Sequence, residues 1–219
     1  DRFELFRDNP ASWYKNHNYT LTNVYGGNLN SWIQWKLGKT AFGVEFRSEN
    51  ILSNVLGEEM NSPQKVPGES AEFTKSASRN TTSFFLEHAV YLNKWSLTAG
   101  LMSNFISGSD LGINIFPGID VSYNIISEIK VFSTFNTSLR MPTFTDLYYS
   151  GPTNIGNPNL KPEKSATVEG GLKVNHGFLQ GHAIVFYREG KDIIDWVKME
   201  SDEVWQPQNL TQLNSFGTE

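Results

Sequence analysis

The sequence predicts an all-β, antiparallel, up-and-down architecture, and three observations carry that prediction. Apolar and polar side chains alternate with a period of two along most of the 219 residues, the pattern of strands with one apolar and one wet face. Helical spacing recurs over no useful window. The links between the alternating runs are long and short in turn: long at 8–18, short at 37–40, long at 50–80, short at 93–95, medium at 105–115, short at 126–129, long at 141–165, short at 175–177 and long at 189–204. An up-and-down barrel with long loops on one rim and tight turns on the other gives this alternation, whereas a Greek-key sandwich has no reason to.

Taken in order, Asp1–Arg7 sets Phe3 and Leu5 against Arg2 and Glu4, and a loop holding Trp13, Tyr14 and His17 follows. Tyr19–Trp35 is a long extended stretch, interrupted around Gly26-Gly27, before a tight turn at Leu37–Thr40. Ala41–Arg47 places Phe42, Val44 and Phe46 opposite Gly43, Glu45 and Arg47. Residues 50–80 lose the period and contain Gly57, Pro63, Pro67 and Gly68, which reads as a long exposed loop. Thr81–Leu92 resumes with Phe84, Leu86 and Val90 on one face. Ser96–Asn104 follows with Leu97, Ala99 and Leu101, Phe116–Ile125 with Ile119, Val121 and Tyr123, and Lys130–Arg140 with Val131, Phe135 and Leu139. Beyond the 141–165 link, Ala166, Val168, Leu172 and Val174 oppose Thr167, Glu169 and Lys173, and Leu179, Ala183, Val185 and Tyr187 oppose Gln180, His182 and Arg188. The count is roughly ten strands, too many and too regular for an average mixed domain. Periodicity leaves two readings open: the apolar faces form the core of a soluble sandwich, or they face lipid around a wet interior.

Composition narrows the function classes. The chain is 38% hydrophobic and 13% aromatic with a net charge of −5, so it has no basic footprint for nucleic acid. Zero cysteines remove disulfides, thiolate metal sites and cysteine nucleophiles. No run approaches the roughly 18 apolar residues of a spanning helix, but barrel strands of about 9–11 alternating residues escape that criterion. His17, His88, His176 and His182 show no metal-ligand spacing and read as structural or exposed. Glu58-Glu59 reads as a solvated charge run, because adjacent carboxylates do not converge on one bond. No nucleophile elbow or phosphate-cradling loop is present. The sequence therefore predicts no enzyme, no metal site and no cofactor.

The most informative stretch is residues 140–165. Pro142, Pro152, Pro158 and Pro162, with Gly151 and Gly156, exclude a helix or a central strand there. Phe144, Leu147, Tyr148 and Tyr149 give the loop more apolar surface than a slack linker carries. Arg140, then Pro142-Thr143-Phe144, an acidic residue before Leu147-Tyr148, and Gly156-Asn157-Pro158-Asn159-Leu160-Lys161-Pro162-Glu163-Lys164-Ser165 resemble the barrel signature of TonB-dependent outer-membrane receptors. Downstream, Glu169-Gly170-Gly171-Leu172, Tyr187-Arg188, Asp192-Ile193-Ile194, Trp196 and the run from Asn209 to Gly217-Thr218-Glu219 are similar to that family too.

The resemblance implies that residues 1–219 are part of an antiparallel transmembrane β-barrel in the bacterial outer membrane, about ten strands of a barrel of about twenty-two. The plug domain and the C-terminal strands are then expected to lie outside these residues. It further implies uptake of a scarce ligand, whether iron chelate, haem, cobalamin or glycan, driven by the TonB complex acting through the plug. Modest loop lengths favour cobalamin or an iron chelate. Expected partners are outer-membrane lipid, the plug, TonB and the ligand. Trp13, Tyr14, His17, Tyr148 and Tyr149, aromatic residues in long connections on one rim, are the candidate ligand contacts. Within the signature, Arg140 and Glu163 are expected to fix the loop. The alternative from another class is a soluble all-β module whose rim loops capture a small ligand or sugar.

Overall fold

The computed structural model describes residues 2–3, 17–107, 112–200 and 203–219. Within them lie β1 (Arg2–Phe3), β2 (Asn18–Trp35), β3 (Gly38–Ser53), β4 (Glu58–Lys65), β5 (Glu72–Leu92), β6 (Trp95–Ile106), β7 (Ile113–Ile126), β8 (Ile129–Arg140), a short helix α1 (Phe144–Tyr148), β9 (Glu163–His176), β10 (Leu179–Val197) and β11 (Gln206–Thr218). All strand pairs are antiparallel. The sheet runs β1-β2-β3-β5-β6-β7-β8-β9-β10-β11, with β4 paired to β5 off that path. Apart from β4, which folds back on β5 and leaves β3 beside β5, sequence neighbours are sheet neighbours, as the alternation of long and short links requires.

Register carries the two faces across the whole sheet. One row of partners reads Leu92, Trp95, Tyr123, Val131, Leu172 and Ala183. Another reads Ile33, Thr40, His88, Ala99, Ile119, Phe135, Val168, Tyr187 and Phe216. The adjacent row, one residue along, reads Trp32, Ala41, Glu87, Gly100, Gly118, Asn136, Thr167, Arg188 and Ser215. Because a strand's side chains point alternately to its two sides, the first two rows share one face and the third lies on the other.

No second layer covers the apolar face. Ile113 is 71% exposed, Ile119 50% and Phe216 76%, although a sandwich would bury them. The only cluster of buried hydrophobic residues among those described is Tyr19, Val66 and Phe73 with Leu52 and Ala71, at the long-loop end of the sheet. An apolar surface this continuous is solvated by something other than water, which removes the soluble sandwich. At the short-turn rim the same face carries an aromatic belt. Trp95 packs on Tyr123 at 4.7 Å and Trp35 on His88 at 5.7 Å. The Trp35 indole N–H donates to Thr40 Oγ1 at 3.0 Å, so its polar edge is satisfied where lipid meets water.

Three expectations change. Residues 50–80 are not a loose loop: β3 continues to Ser53, β4 folds back on β5, and Val66 and Phe73 close a small core over Tyr19. Ser53 is fully buried, donating to the Tyr19 carbonyl at 2.9 Å and accepting the Val55 and Leu56 amides at 3.1 Å each. The period is lost in sequence because the register shifts between Glu59 and Gln64, around Pro63, as a bulge does. The stretch 19–35 is uninterrupted, with Gly26 and Gly27 paired in the ladder. The prolines of 140–165 do not exclude a helix: α1 fits between Pro142 and Gly151. The expected strand over 1–7 is represented by Arg2–Phe3, and Trp13 and Tyr14 lie outside the described residues.

On the inner face, three phenylalanines each stand opposite a glycine: Phe85 and Gly43, Phe132 and Gly171, Phe186 and Gly217. A methyl group on Gly171 would come within 2.7 Å of both the Phe132 ring and the Ala183 carbonyl oxygen. The rings therefore lie flat across the glycines and keep the wall smooth. Gly171→Val in the folded barrel should lower stability by about 1–3 kcal/mol, seen as an earlier midpoint in urea unfolding from lipid vesicles. An unchanged midpoint would show that the Phe132 ring and the backbone yield freely.

Candidate functional site

The loop between β8 and β9 is built by side chains that take over from the missing ladder. Thr143 is the N-cap of α1, and its hydroxyl accepts the Asp146 amide at 3.1 Å. Asp146 answers reciprocally: its Oδ2 accepts from the Thr143 amide at 3.0 Å and the Thr143 hydroxyl at 2.7 Å. This capping box lets a five-residue helix form immediately after Pro142. Asp146 is 8% exposed, and its second oxygen accepts the Trp196 indole N–H at 3.2 Å, which ties the helix to β10.

The remainder closes around Gly156 and two asparagines. The Gly156 amide donates to Tyr149 O at 2.7 Å and the Asn157 amide to Asp146 O at 2.8 Å. A Cβ on Gly156 would stand 2.8 Å from the Leu147, Tyr148 and Tyr149 backbone, so no side chain fits there. Asn157 Nδ2 donates to the Pro207 carbonyl at 3.3 Å. Asn209 accepts the Lys161 amide at 2.8 Å and donates to the Lys161 and Asp192 carbonyls at 2.8 and 2.7 Å. One amide side chain thus pins the loop to β11 and to Asp192, a left-handed residue within β10 whose φ is 55°. Pro142 and Pro162 are buried and so is Leu160, while Pro158 stays exposed.

Arg140 and Glu163 face each other as Cα partners at the mouth of the loop. Two guanidinium nitrogens donate to the two carboxylate oxygens, Nε at 2.6 Å. Glu163 Oε1 also accepts the Ile194 amide at 2.7 Å, so one carboxylate joins β8, β9 and β10. The pair lies above the apolar band, since the outward-facing residue next to Glu163 is Lys164. The hydrogen bonds from Arg140 hold the Glu163 carboxyl below its ordinary 4.5 against the upward push of burial, with the Ile194 amide helping.

A second arginine joins the loop to the rest of the wall. Arg79, on β5, makes a two-pronged contact with Glu49 at 3.0 and 2.8 Å, donates to the Pro142 carbonyl at 2.9 Å and lies 5.1 Å from the centre of the Phe144 ring. Burial raises the Glu49 carboxyl, but hydrogen bonds from Arg47 and Arg79 outweigh it and leave it below its ordinary value. Between this arginine and the loop is a cavity of about 480 Å³ lined by Arg79, Ile106, Phe144, Leu147, Tyr148 and Lys161, among others. Aromatic faces and two cations suit it to non-covalent capture of a flat or anionic group. No cluster of metal-ligating side chains occurs among the described residues.

The candidate ligand contacts are not brought to one place. Tyr148 lines the cavity and stacks on Phe144 at 6.4 Å, and Tyr149 lies against Gly151. His17 stands at the start of β2, edge-on to Tyr19 at 6.0 Å, with its carbonyl accepting from Asn54. It is five strands away from α1 in the sheet. Sequence reasoning missed Arg79, which falls inside the stretch 50–80 read as a loop, and Glu49, which stands just before it, and it took Asp146 only as a motif letter.

The Glu163 arrangement fixes the sign of a pH effect. Its folded-state pKa is depressed, so its contribution to holding the loop is complete above about pH 4.5 and is lost as pH falls through the lower folded value. Hydrogen exchange at the Ile194 amide should therefore accelerate below that range. Glu163→Gln should remove the acid dependence and weaken the closed loop by about 1–3 kcal/mol at neutral pH. Identical pH profiles for the two proteins would dismiss this role.

Comparison with known proteins follows the same lines. Residues 2–219 match the family described as TonB dependent receptor-like, beta-barrel. The chain is 28% identical over 144 residues to the vitamin B12 transporter BtuB of Photobacterium profundum, covering 64% of this chain and 23% of that protein. It is 27% identical over 202 residues to BtuB of Vibrio vulnificus strain YJ016, covering 87% and 28% respectively. The chain therefore spans about a quarter of the curated relatives it matches. Among solved structures, the Serratia marcescens hemophore receptor HasR, in complex with its hemophore HasA and heme, superposes with a TM-score of 0.72 at 15% identity, over 92% of this chain and 39% of that one. The outward apolar face, the rim of tight turns and the pinned loop are thus those of an outer-membrane barrel wall, and the chain belongs to the TonB-dependent receptor family.

Proposed function

We propose that this chain is wall and rim of a receptor that takes up a scarce ligand across the outer membrane, powered by the TonB complex through a plug domain encoded outside residues 1–219. The observation that carries the reading is the β8–β9 loop. A helix of one turn, an ion pair and two asparagines hold a rigid, aromatic-lined cavity at the rim where the long connections gather, and the long loops of such barrels face outward. Among the described residues the sheet edges at β1 and β11 carry ladder groups with no partner strand, and in lipid such edges need further strands to close the barrel.

Cobalamin is the first ligand to test, because the relatives reported above are vitamin B12 transporters; an iron chelate or haem is the next. In this reading Trp13, Tyr14, His17, Tyr148 and Tyr149 supply rim contacts, with Arg79 and Phe144 joining Tyr148. Arg140, Asp146, Asn157 and Glu163 hold the loop and do not touch ligand.

The full-length receptor, purified in detergent, should bind cyanocobalamin saturably. Tyr148→Ala should weaken that binding on the order of tenfold while the circular dichroism spectrum stays unchanged. Binding of a ferric siderophore or haem in place of cobalamin would keep the transport reading and replace the ligand. Binding of none of the three would defeat it.

A further inference from the structure

On the outer wall, β7 and β8 part company. Their ladder runs from the turn up to the pair Gly118 and Asn136 and stops there, while β7 stays paired to β6 down to Ile113 and β8 to β9 through Arg140. Pro117 is the cause. Its carbonyl points at β8, where the Thr137 hydroxyl donates to it at 3.0 Å, so its nitrogen also faces β8 and has no hydrogen to give. The split leaves a cleft of about 400 Å³. Ile113, Ile115, Pro117 and Ala166 give it outward-facing apolar walls, and Lys164 and Lys191 stand at its lip.

The two lysines are direct cross-strand partners, an arrangement of like charges that costs energy unless something anionic sits between them. Lys191 Nζ is 3.0 Å from Glu189 Oε1, and Lys164 has no ion pair among the described residues. Two cations against one carboxylate leave the lip positive in a chain whose net charge is −5. Along β9, the outward side chains change from Ala166, Val168 and Leu172 to Lys164, so the lysines stand where the apolar band ends on the long-loop side, at headgroup height in the outer leaflet.

We propose that this cleft binds a phosphate-bearing lipid of the surrounding membrane. An acyl chain lies along Ile113, Ile115 and Pro117, and the headgroup phosphate lies between Lys164 and Lys191. The apolar wall selects an amphiphile over a free anion, and the paired cations select an anionic headgroup over a zwitterionic one. The inference needs only the outer-membrane placement of the barrel and is independent of the ligand transported.

The test places the full-length receptor in nanodiscs of mixed phosphatidylglycerol and phosphatidylcholine, followed by native mass spectrometry of the lipids that stay bound. The native receptor should retain phosphatidylglycerol preferentially. The double variant K164Q/K191Q should lose that preference by about fivefold for each lysine. K173Q, which removes a cation from the inner face of the same strand, should keep it. Both lip lysines are exposed, so an unchanged melting temperature is expected and verifies the fold. Equal retention of the two lipids by the native receptor, an unaltered preference in the double variant, or an equal loss in K173Q would overturn the proposal. Inorganic phosphate that competes as well as phosphatidylglycerol would also overturn it, since the apolar wall would then have no part.

Discussion

In hydrocarbon no water pairs with backbone N–H and C=O groups, and each one left open costs several kcal/mol. That constraint orders everything else in this chain. It explains why the strands of the wall, β4 apart, follow one another in the sheet as they do in the sequence, why pairing is antiparallel, and why tight turns such as Asn93-Lys94 and Ser127-Glu128 suffice on one rim. It also explains why the side chains look inside-out for a protein judged by aqueous rules: Ile113, Ile119, Phe135 and Phe216 face outward, and Glu87, Asn136 and Arg188 sit on the concave side. Departures from the ladder are informative for the same reason. At Pro117 the donor is missing, and the Thr137 hydroxyl meets the orphan carbonyl.

Beyond the band, water returns and the ladder is no longer obligatory, yet the β8–β9 loop still accounts for much of its backbone. Asp146, Asn157, Glu163 and Asn209 act as surrogate strands, each carrying two or more acceptors or donors on a short stem. Glu163 shows the economy of this arrangement. Its carboxylate pairs the charge of Arg140 and caps the Ile194 amide, so three strands share one group. A loop fixed in this way presents Phe144 and Tyr148 in a set orientation, which lowers the entropy lost when a ligand binds. The contact of Arg79 with both the Pro142 carbonyl and the Phe144 ring extends that rigidity to β5 and to the folded hairpin above it.

Much of the wall was legible because its rule is local. Phe42, Val44 and Phe46, Leu97 and Leu101, or Val168 and Leu172 fall on one face by counting alone, and the face matters because one side meets lipid. What escaped was everything decided between distant residues. Residues 50–80 read as a loop because Pro63 coincides with a register shift, yet Val66 and Phe73 find Tyr19, whose approach no period encodes. Helix α1 is one turn long, too short for periodicity, and its only sequence trace is Thr143 with Asp146 three residues on, a capping pattern overlooked beside so many prolines. The Arg79 contact to Pro142 spans 63 positions. The aromatic candidates for ligand contact divide in the same way: Tyr148 reaches the cavity because α1 carries it there, whereas His17 is drawn to the opposite part of the sheet by its own strand.

The loop and the cleft between β7 and β8 are two answers to one problem, a ladder that must stop before the strands do. On the β9 side, beyond Arg140, the chain supplies its own replacements, and the result is closed and rigid. On the β7 side the replacement is partial: one hydroxyl for one carbonyl, apolar side chains lining what remains, and two lysines brought together by a register that the rest of the sheet dictates. Sliding β10 against β9 by one residue would separate Lys164 from Lys191, but it would also turn Tyr187 and Val185 inward, because every side chain on the strand would change faces. The lysine pair is therefore enforced by the apolar band below it, and the repulsion it carries is relieved most directly by an anion from the medium that band already faces.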